Sequence, residues 1–110
     1  MIMATQAFNQ QGNTQTFTAA VTPPAPVQAV SSTGAANQYR VINNSIVTVF
    51  LGVGTTAALA TTNATSTMPS RAIPLLPGTD EILTFTPDAY FTGATASSTA
   101  VVYITPGTGS

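Results

Sequence analysis

Short runs in which polar and apolar residues alternate make up most of the chain, and threonine fills many of the polar positions. A period of two places successive side chains on opposite faces, which is the pattern of a half-buried β-strand. In the segment 14–22, for example, Phe17, Ala19 and Val21 share one face. Eight segments of this kind predict strands, at residues 14–22, 27–30, 38–42, 46–53, 72–76, 81–86, 90–96 and 99–105.

Prolines and glycines separate these segments. The run Pro23-Pro24-Ala25-Pro26 ends the first strand because proline cannot donate to a ladder, and Pro74 makes its own strand an edge or bulged one. Pro77-Gly78 fits a type II turn. Since turn signals recur about every 8 to 12 residues, the sequence predicts an all-β fold, an antiparallel β-sandwich or jelly-roll-like arrangement of seven to eight short strands.

Two pairs of consecutive strands are expected to form hairpins. The segments 38–42 and 46–53 should pair across Asn43-Asn44-Ser45, because asparagine tolerates the left-handed conformation of tight turns. The segments 90–96 and 99–105 should pair across two serines. Because 46–53 is apolar at nearly every residue, it predicts a strand buried on both faces.

The remaining segments lack a strand pattern. Residues 1–13 are rich in glutamine and asparagine and predict a flexible or partner-ordered N-terminal arm, which leaves 14–110 as a single β-sandwich domain. The stretch 54–70 is predicted to be mostly loop, with one helical turn near 57–60. Residues 106–110 are expected to form a frayed tail.

The composition then excludes several classes of function. Five of the 110 residues are charged, the net charge is -1, and the sequence contains no Lys, His, Cys or Trp. Two arginines are too few for a nucleic-acid surface, which needs several basic contacts to phosphate. Without Cys and His the usual zinc and iron ligands are missing. The first residues show neither a signal peptide nor a membrane span, so we expect a soluble, unprocessed protein with no nucleic-acid or membrane partner.

Three acidic residues are the only carboxylates: Asp80, Glu81 and Asp88. Adjacent residues on a strand point to opposite faces, so Asp80 and Glu81 should not act as a pair. Asp88 follows a proline and is expected to cap its own turn. A nucleophilic Ser or Thr would need a base such as His or Lys, and both are missing. We therefore expect no enzymatic activity, no cofactor and no dedicated metal site, with adventitious cation binding by these acids left open.

The segment Gly52-Val53-Gly54-Thr55-Thr56-Ala57 matches the glycine spacing of a dinucleotide-binding loop. Such a loop needs a helix after it, and the following residues favour turns and strands. We therefore interpret the glycines as the end of a strand.

Four residues are candidates for a binding surface: Arg40, Arg71, Tyr39 and Tyr90. Each arginine could pair with an acid or anchor a protein interface, where arginine is enriched. The tyrosines could contact a partner or stack on a sugar, although aromatic residues on alternating strands more often pack in the core.

Sheet edges are usually protected by Lys or by inward-pointing charges, and this chain has few charged residues that could do so. Since near-zero net charge also promotes association, we expect a homo-oligomer, either a dimer or a trimer.

Beside this interpretation, the chain resembles small virion proteins of tailed phages and prophages over about residues 39–107. The resemblance rests on structural segments of the sequence, namely 39–44, 47–54, 73–79, 90–93 and 99–107. It implies a head decoration or cement protein on the capsid surface, made in the host cytoplasm, whose partners are the major capsid protein or other virion proteins. The alternative is a receptor- or glycan-binding module associated with a tail or fibre. No site residue carries over from the resemblance.

Overall fold

A computed structural model describes residues 8–67 and 70–109, so residues 1–7 of the expected arm, together with Met68, Pro69 and Ser110, lie outside the described residues. The fold is all-β with one short helix, which confirms the predicted class. The strands are β1 (Asn9–Gln10), β2 (Gln15–Ala19), β3 (Val27–Gln28), β4 (Gln38–Asn44), β5 (Val49–Gly54), β6 (Ile73–Leu75), β7 (Asp80–Thr84), β8 (Tyr90–Ala94) and β9 (Ala100–Thr108), and the helix α1 is Ala57–Asn63. All eight predicted strands are present at shifted bounds, and β1 is an addition.

Two antiparallel sheets pack against each other. The larger sheet has the order β1-β9-β4-β7 with β2 also paired to β9, and the smaller sheet has the order β3-β8-β5-β6. Strands β2 to β9 pair first with last: β2 with β9, β3 with β8, β4 with β7 and β5 with β6. A long double strand rolled up in this way gives the two Greek keys of a jelly roll.

Neither predicted hairpin forms. The strand β4 pairs with β7 and β9, whereas β5 pairs with β6 and β8 in the other sheet. The strands β8 and β9 are likewise in opposite sheets. In both cases the connection is long enough to cross the roughly 10 Å between packed sheets. Alternation within a strand is satisfied equally by a hairpin and by a crossover, so the local pattern could not distinguish them.

Both predicted flexible ends are ordered where the structure describes them. Within the expected arm, β1 pairs with the end of β9, and the Gln11 amide donates to the Pro106 carbonyl oxygen at 2.9 Å. The predicted frayed tail is the last part of β9, which runs to Thr108. A Cβ at Gly107 would clash with the Phe8 ring, so glycine at this position allows the ring to close over the strand.

The core lies between the sheets. Its largest fully buried side chains come from both sheets, and Tyr39 of β4 packs edge-to-face on Phe91 of β8 with ring centroids 4.8 Å apart. Leu51 and Ile104 fill the middle of the same cluster. Burial of these side chains supplies the main stabilisation, at about 1.5–3 kcal/mol for each large apolar residue.

The helix α1 covers the outer face of the smaller sheet, where the sequence predicted a loop with one turn. Thr56 caps it, with its side chain accepting a hydrogen bond from the Leu59 amide at 3.2 Å. A Cβ on Gly52 would clash with the Ala60 carbonyl oxygen, and one on Gly54 would lie 2.6 Å from the Ala60 nitrogen. The two glycines thus let the helix backbone approach the strand. As predicted, β5 is buried on both faces over most of its length.

Candidate functional site

The outer face of the larger sheet has no helix over it among the described residues, and we call it the open face. Its side chains alternate with buried ones such as Val41 and Val102. Strand register sets them in two rows, Thr16–Tyr103–Ile42–Asp80 and Thr105–Arg40–Ile82. This face combines exposed apolar groups with hydroxyls, which suits contact with a polar but uncharged surface.

A groove of about 490 Å³ lies on the open face. It is lined by Phe8, Gln10, Thr14, Arg40, Ile42, Tyr103 and Thr105. The hydroxyls of Thr14 and Thr105 are 2.7 Å apart and hydrogen-bond to each other. Tyr103 contributes an aromatic ring that is 36% exposed.

Arg40 is the cation in the groove, and Asp80 neutralises it. The guanidinium donates from Nε to Oδ1 at 2.9 Å and from Nη2 to Oδ2 at 2.6 Å, a bidentate arrangement of two exposed side chains. This hydrogen bonding holds the pKa of Asp80 below its ordinary value and raises the pKa of Arg40. The pairing of Arg40 with an acid, one of its two predicted roles, is therefore present, and it leaves the groove without net charge.

The other two surface candidates lie elsewhere. Arg71 is exposed in a bend before β6, and it forms no ion pair with the acids in the part of the chain that the structure describes. Tyr90 begins β8 in the smaller sheet, where it is half-buried opposite Gln28 and Gly54. The predicted set therefore does not form one surface.

Tyr39 is a core residue and is removed from the candidate binding surface. Its side chain is fully buried, and the hydroxyl donates to the Thr86 carbonyl oxygen at 2.5 Å and accepts from the Ala89 amide at 3.2 Å. Burial raises the pKa of Tyr39. Its role is to pack against Phe91 and to hold the 86–89 turn on the core.

The three acids do not converge on one site. Asp80 and Glu81 begin β7, whereas Asp88 lies in the turn after that strand. Asp88 has a positive φ of 56°, and its Oδ1 accepts from the Ser31 amide at 3.1 Å. Asp88 therefore bonds to the connection that follows β3, whereas the sequence predicted that it caps its own turn. Among the described residues, no group of three acidic side chains is placed to hold a metal ion.

One edge of each sheet is better protected than the sequence indicated. Pro74 lies in β6 at one edge of the smaller sheet, which confirms the predicted edge strand. At the edge of the larger sheet, Glu81 is opposite the buried Val41 and so lies on the inward face of β7. Inward charge and edge proline both discourage pairing with another sheet. The argument for association from bare edges is weaker than the composition suggested, and the homo-oligomer stays a prediction.

The groove residues other than Arg40 were not singled out as one site from the sequence. Ile42 belongs to a predicted strand, but which face of a strand is solvated depends on how the sheets pack. A signal did exist for Tyr103, because it alternates with the apolar Val102 and Ile104.

Comparison of the chain with protein-family models, with curated proteins and with solved structures finds no match. The one helix in the described part of the chain is seven residues long, and none there could span a bilayer.

Proposed function

We propose that the chain is a non-enzymatic structural protein of a virion, a decoration or cement protein that binds the capsid shell and stabilises it. The open face is the observation that supports the proposal. It presents Ile82 and Tyr103, at 39% and 36% exposure, beside threonine hydroxyls and a neutralised Arg40–Asp80 pair. A surface of this composition binds by apolar burial and hydrogen bonds.

The fold is compatible with that role. Jelly rolls of two packed sheets occur in viral capsid domains and also in lectins, so architecture alone does not decide between shell binding and sugar binding. The resemblance of residues 39–107 to tailed-phage virion proteins favours the shell.

Purified particles produced by the genome that encodes this chain provide the test. Quantitative mass spectrometry should find the protein at hundreds of copies per particle, as a shell component requires. A few tens of copies or fewer would indicate a tail or fibre position, and its absence from particles would contradict the proposal. A variant with Arg40→Ala and Asp80→Ala should remain attached, since a neutralised pair contributes little at an exposed site.

A second candidate, a glycan-binding module, is favoured by the groove. An aromatic ring next to hydroxyl, amide and guanidinium groups can stack on a sugar and hydrogen-bond to its hydroxyls. Binding to a glycan library, lost in Tyr103→Ala and retained in Tyr90→Ala, would support this candidate. No binding in the library would leave the shell proposal as the only one.

A further inference from the structure

One end of the jelly roll presents the most exposed large apolar side chains of the described residues. The connections 20–26, 45–48, 76–79 and 95–99 meet there, because β2, β4 and β8 end at this side and β5, β7 and β9 begin there. We call these four connections the tip. Ile46 is 93% exposed, Leu76 65% and Val21 62%.

The tip carries no charged residue. The four connections consist of small, hydroxyl-bearing and apolar residues with four prolines. Depletion of charge around apolar anchors is the composition of the central part of protein interfaces. An uncharged apolar site is therefore the matching surface on a partner.

A buried amide fixes the two most exposed anchors. The Asn43 side chain is fully buried, and its Nδ2 lies 2.9 Å from the Val47 carbonyl oxygen and 3.2 Å from that of Leu76. The Ser45 hydroxyl donates to Asn43 Oδ1 at 2.6 Å, and the Val47 amide donates to that hydroxyl at 3.2 Å. The connections that carry Ile46 and Leu76 are thus bonded to one side chain.

Prolines and a turn stiffen the rest of the tip. Gly78 adopts a positive φ of 74°, and the Thr79 amide closes the turn on the Leu76 carbonyl oxygen at 3.0 Å. The Thr95 amide donates to the Ala20 carbonyl oxygen at 3.0 Å beside Val21. A preorganised apolar surface loses little conformational entropy on binding.

We infer that the tip docks into the shell in addition to the open face, inserting Ile46 and Leu76 into an uncharged apolar depression on the shell protein. This inference rests on the proposed function. The shape of the tip favours a concave partner over a second copy of this chain. Ile46 and Leu76 project from the tip at 93% and 65% exposure, so two convex tips meeting end to end would contact each other over only a small area, whereas a standard interface buries roughly 800 Å² per partner. A depression gains area by surrounding the protruding side chains.

The experiment compares equal changes at the two ends of the molecule. Ile46→Asp and Leu76→Asp alter the tip, and Val30→Asp is the matched control, since Val30 is 51% exposed in the 29–37 connection at the opposite end. Purified variants are added to particles assembled without this protein, and bound protein is measured by co-sedimentation. Each tip variant should bind at least tenfold more weakly than the native chain, and the control within about twofold. Thermal unfolding should change only slightly in all three, because each of these side chains is at least half exposed.

Each outcome decides a different point. Native binding by both tip variants would overturn the inference and leave the proposed function standing. Failure of the native chain itself to bind particles would contradict the proposed function. Sedimentation velocity of the free proteins adds a third arm: a native oligomer that dissociates in Ile46→Asp would show that the tip contacts a second copy, which also overturns the inference.

Discussion

The two outer faces of the sandwich differ in how far the chain itself covers them. The smaller sheet is covered by its own chain: α1 lies over the glycines of β5, and the proline-rich connection accepts a hydrogen bond from Thr92 of β8. Within the described part of the chain, the outer side chains of the larger sheet are covered only near Phe8 and Gln10. One face is thus completed within the molecule, and the other is available to a partner. We therefore expect changes on the covered face to lower the stability of the fold, and changes on the open face to leave that stability nearly unchanged.

The largest expected effect is that of Gly52→Val, which should displace α1 from the covered face. The new side chain would clash with the Ala60 carbonyl and displace α1. Overpacking of this kind costs about 3 kcal/mol, which corresponds to roughly 12–24 °C in melting temperature for a domain of this size. Thr18→Val on the exposed face of β2 is the control and should melt within about 2 °C of the native chain. Equal melting of the two variants would show that α1 does not rest on β5.

A smaller effect is expected from Thr92→Val on the same covered face. The Thr92 hydroxyl is fully buried and donates to the Pro24 carbonyl oxygen at 2.8 Å. Valine keeps the shape but leaves that carbonyl unpaired, so chemical denaturation should report a loss of about 1–2 kcal/mol. Thr84→Val at an exposed position of β7 should change the free energy of unfolding by less than about 0.5 kcal/mol. An unchanged Thr92 variant would mean that water replaces the lost donor.

On the open face, Ile82→Thr should change stability little. Both residues are β-branched, and Ile82 is already partly exposed, so the expected loss is less than about 1 kcal/mol. The comparison is Val41→Thr, on the buried face of the neighbouring strand, where an added hydroxyl should cost about 1–3 kcal/mol. If both variants lost the same stability in urea titrations, the open face would have to be covered in solution.

The smallest effect concerns pH and the Arg40–Asp80 pair. Because Arg40 holds the pKa of Asp80 below that of an unfolded Asp, the pair stabilises the folded state above about pH 4. This contribution is lost as the pH falls through the lowered pKa of the folded state. In Asp80→Asn, the free energy of unfolding should therefore depend slightly less on pH in the acid range than it does in the native chain. High salt should reduce this difference between the two proteins. If the free energy of unfolding of Asp80→Asn decreased in acid in the same way as that of the native chain, the pair would have no net effect on stability in solution.

The strands were predictable from the sequence because their signal is local. The alternation of Thr16 and Thr18 with Phe17 and turn residues such as Pro77-Gly78 are signals that act within a few residues, and the predicted type II turn agrees with the positive φ of Gly78. Strand pairing depends on contacts between distant segments. Asn43 illustrates this limit of local signals. An asparagine at this position fits a hairpin turn, and it fits equally well a buried site in which its side-chain amide bonds to three carbonyl oxygens, as observed.

The candidate site was predictable only in part for the same reason. Arg40 was identified because charge is rare in this chain, and any charged residue on a strand is conspicuous. Tyr39 could not be assigned to the core or to the surface from the sequence. It is buried because its hydroxyl finds partners in the 86–89 turn, about 50 residues away. Exposure of Ile46 was not predictable, since the crossover that places it at the tip is a property of the whole topology.

The pairing of first strand with last also fixes when the molecule can fold. β9 is made last, yet it lies in the middle of the larger sheet, between β2 and β4. The earlier strands of that sheet lack their shared neighbour until β9 has been synthesised. The larger sheet is therefore expected to form only after β9 has been made, and to form slowly, as non-local β topologies generally do. Until then the apolar strand β5 has no larger sheet to pack against, and exposed apolar strands of this kind favour aggregation.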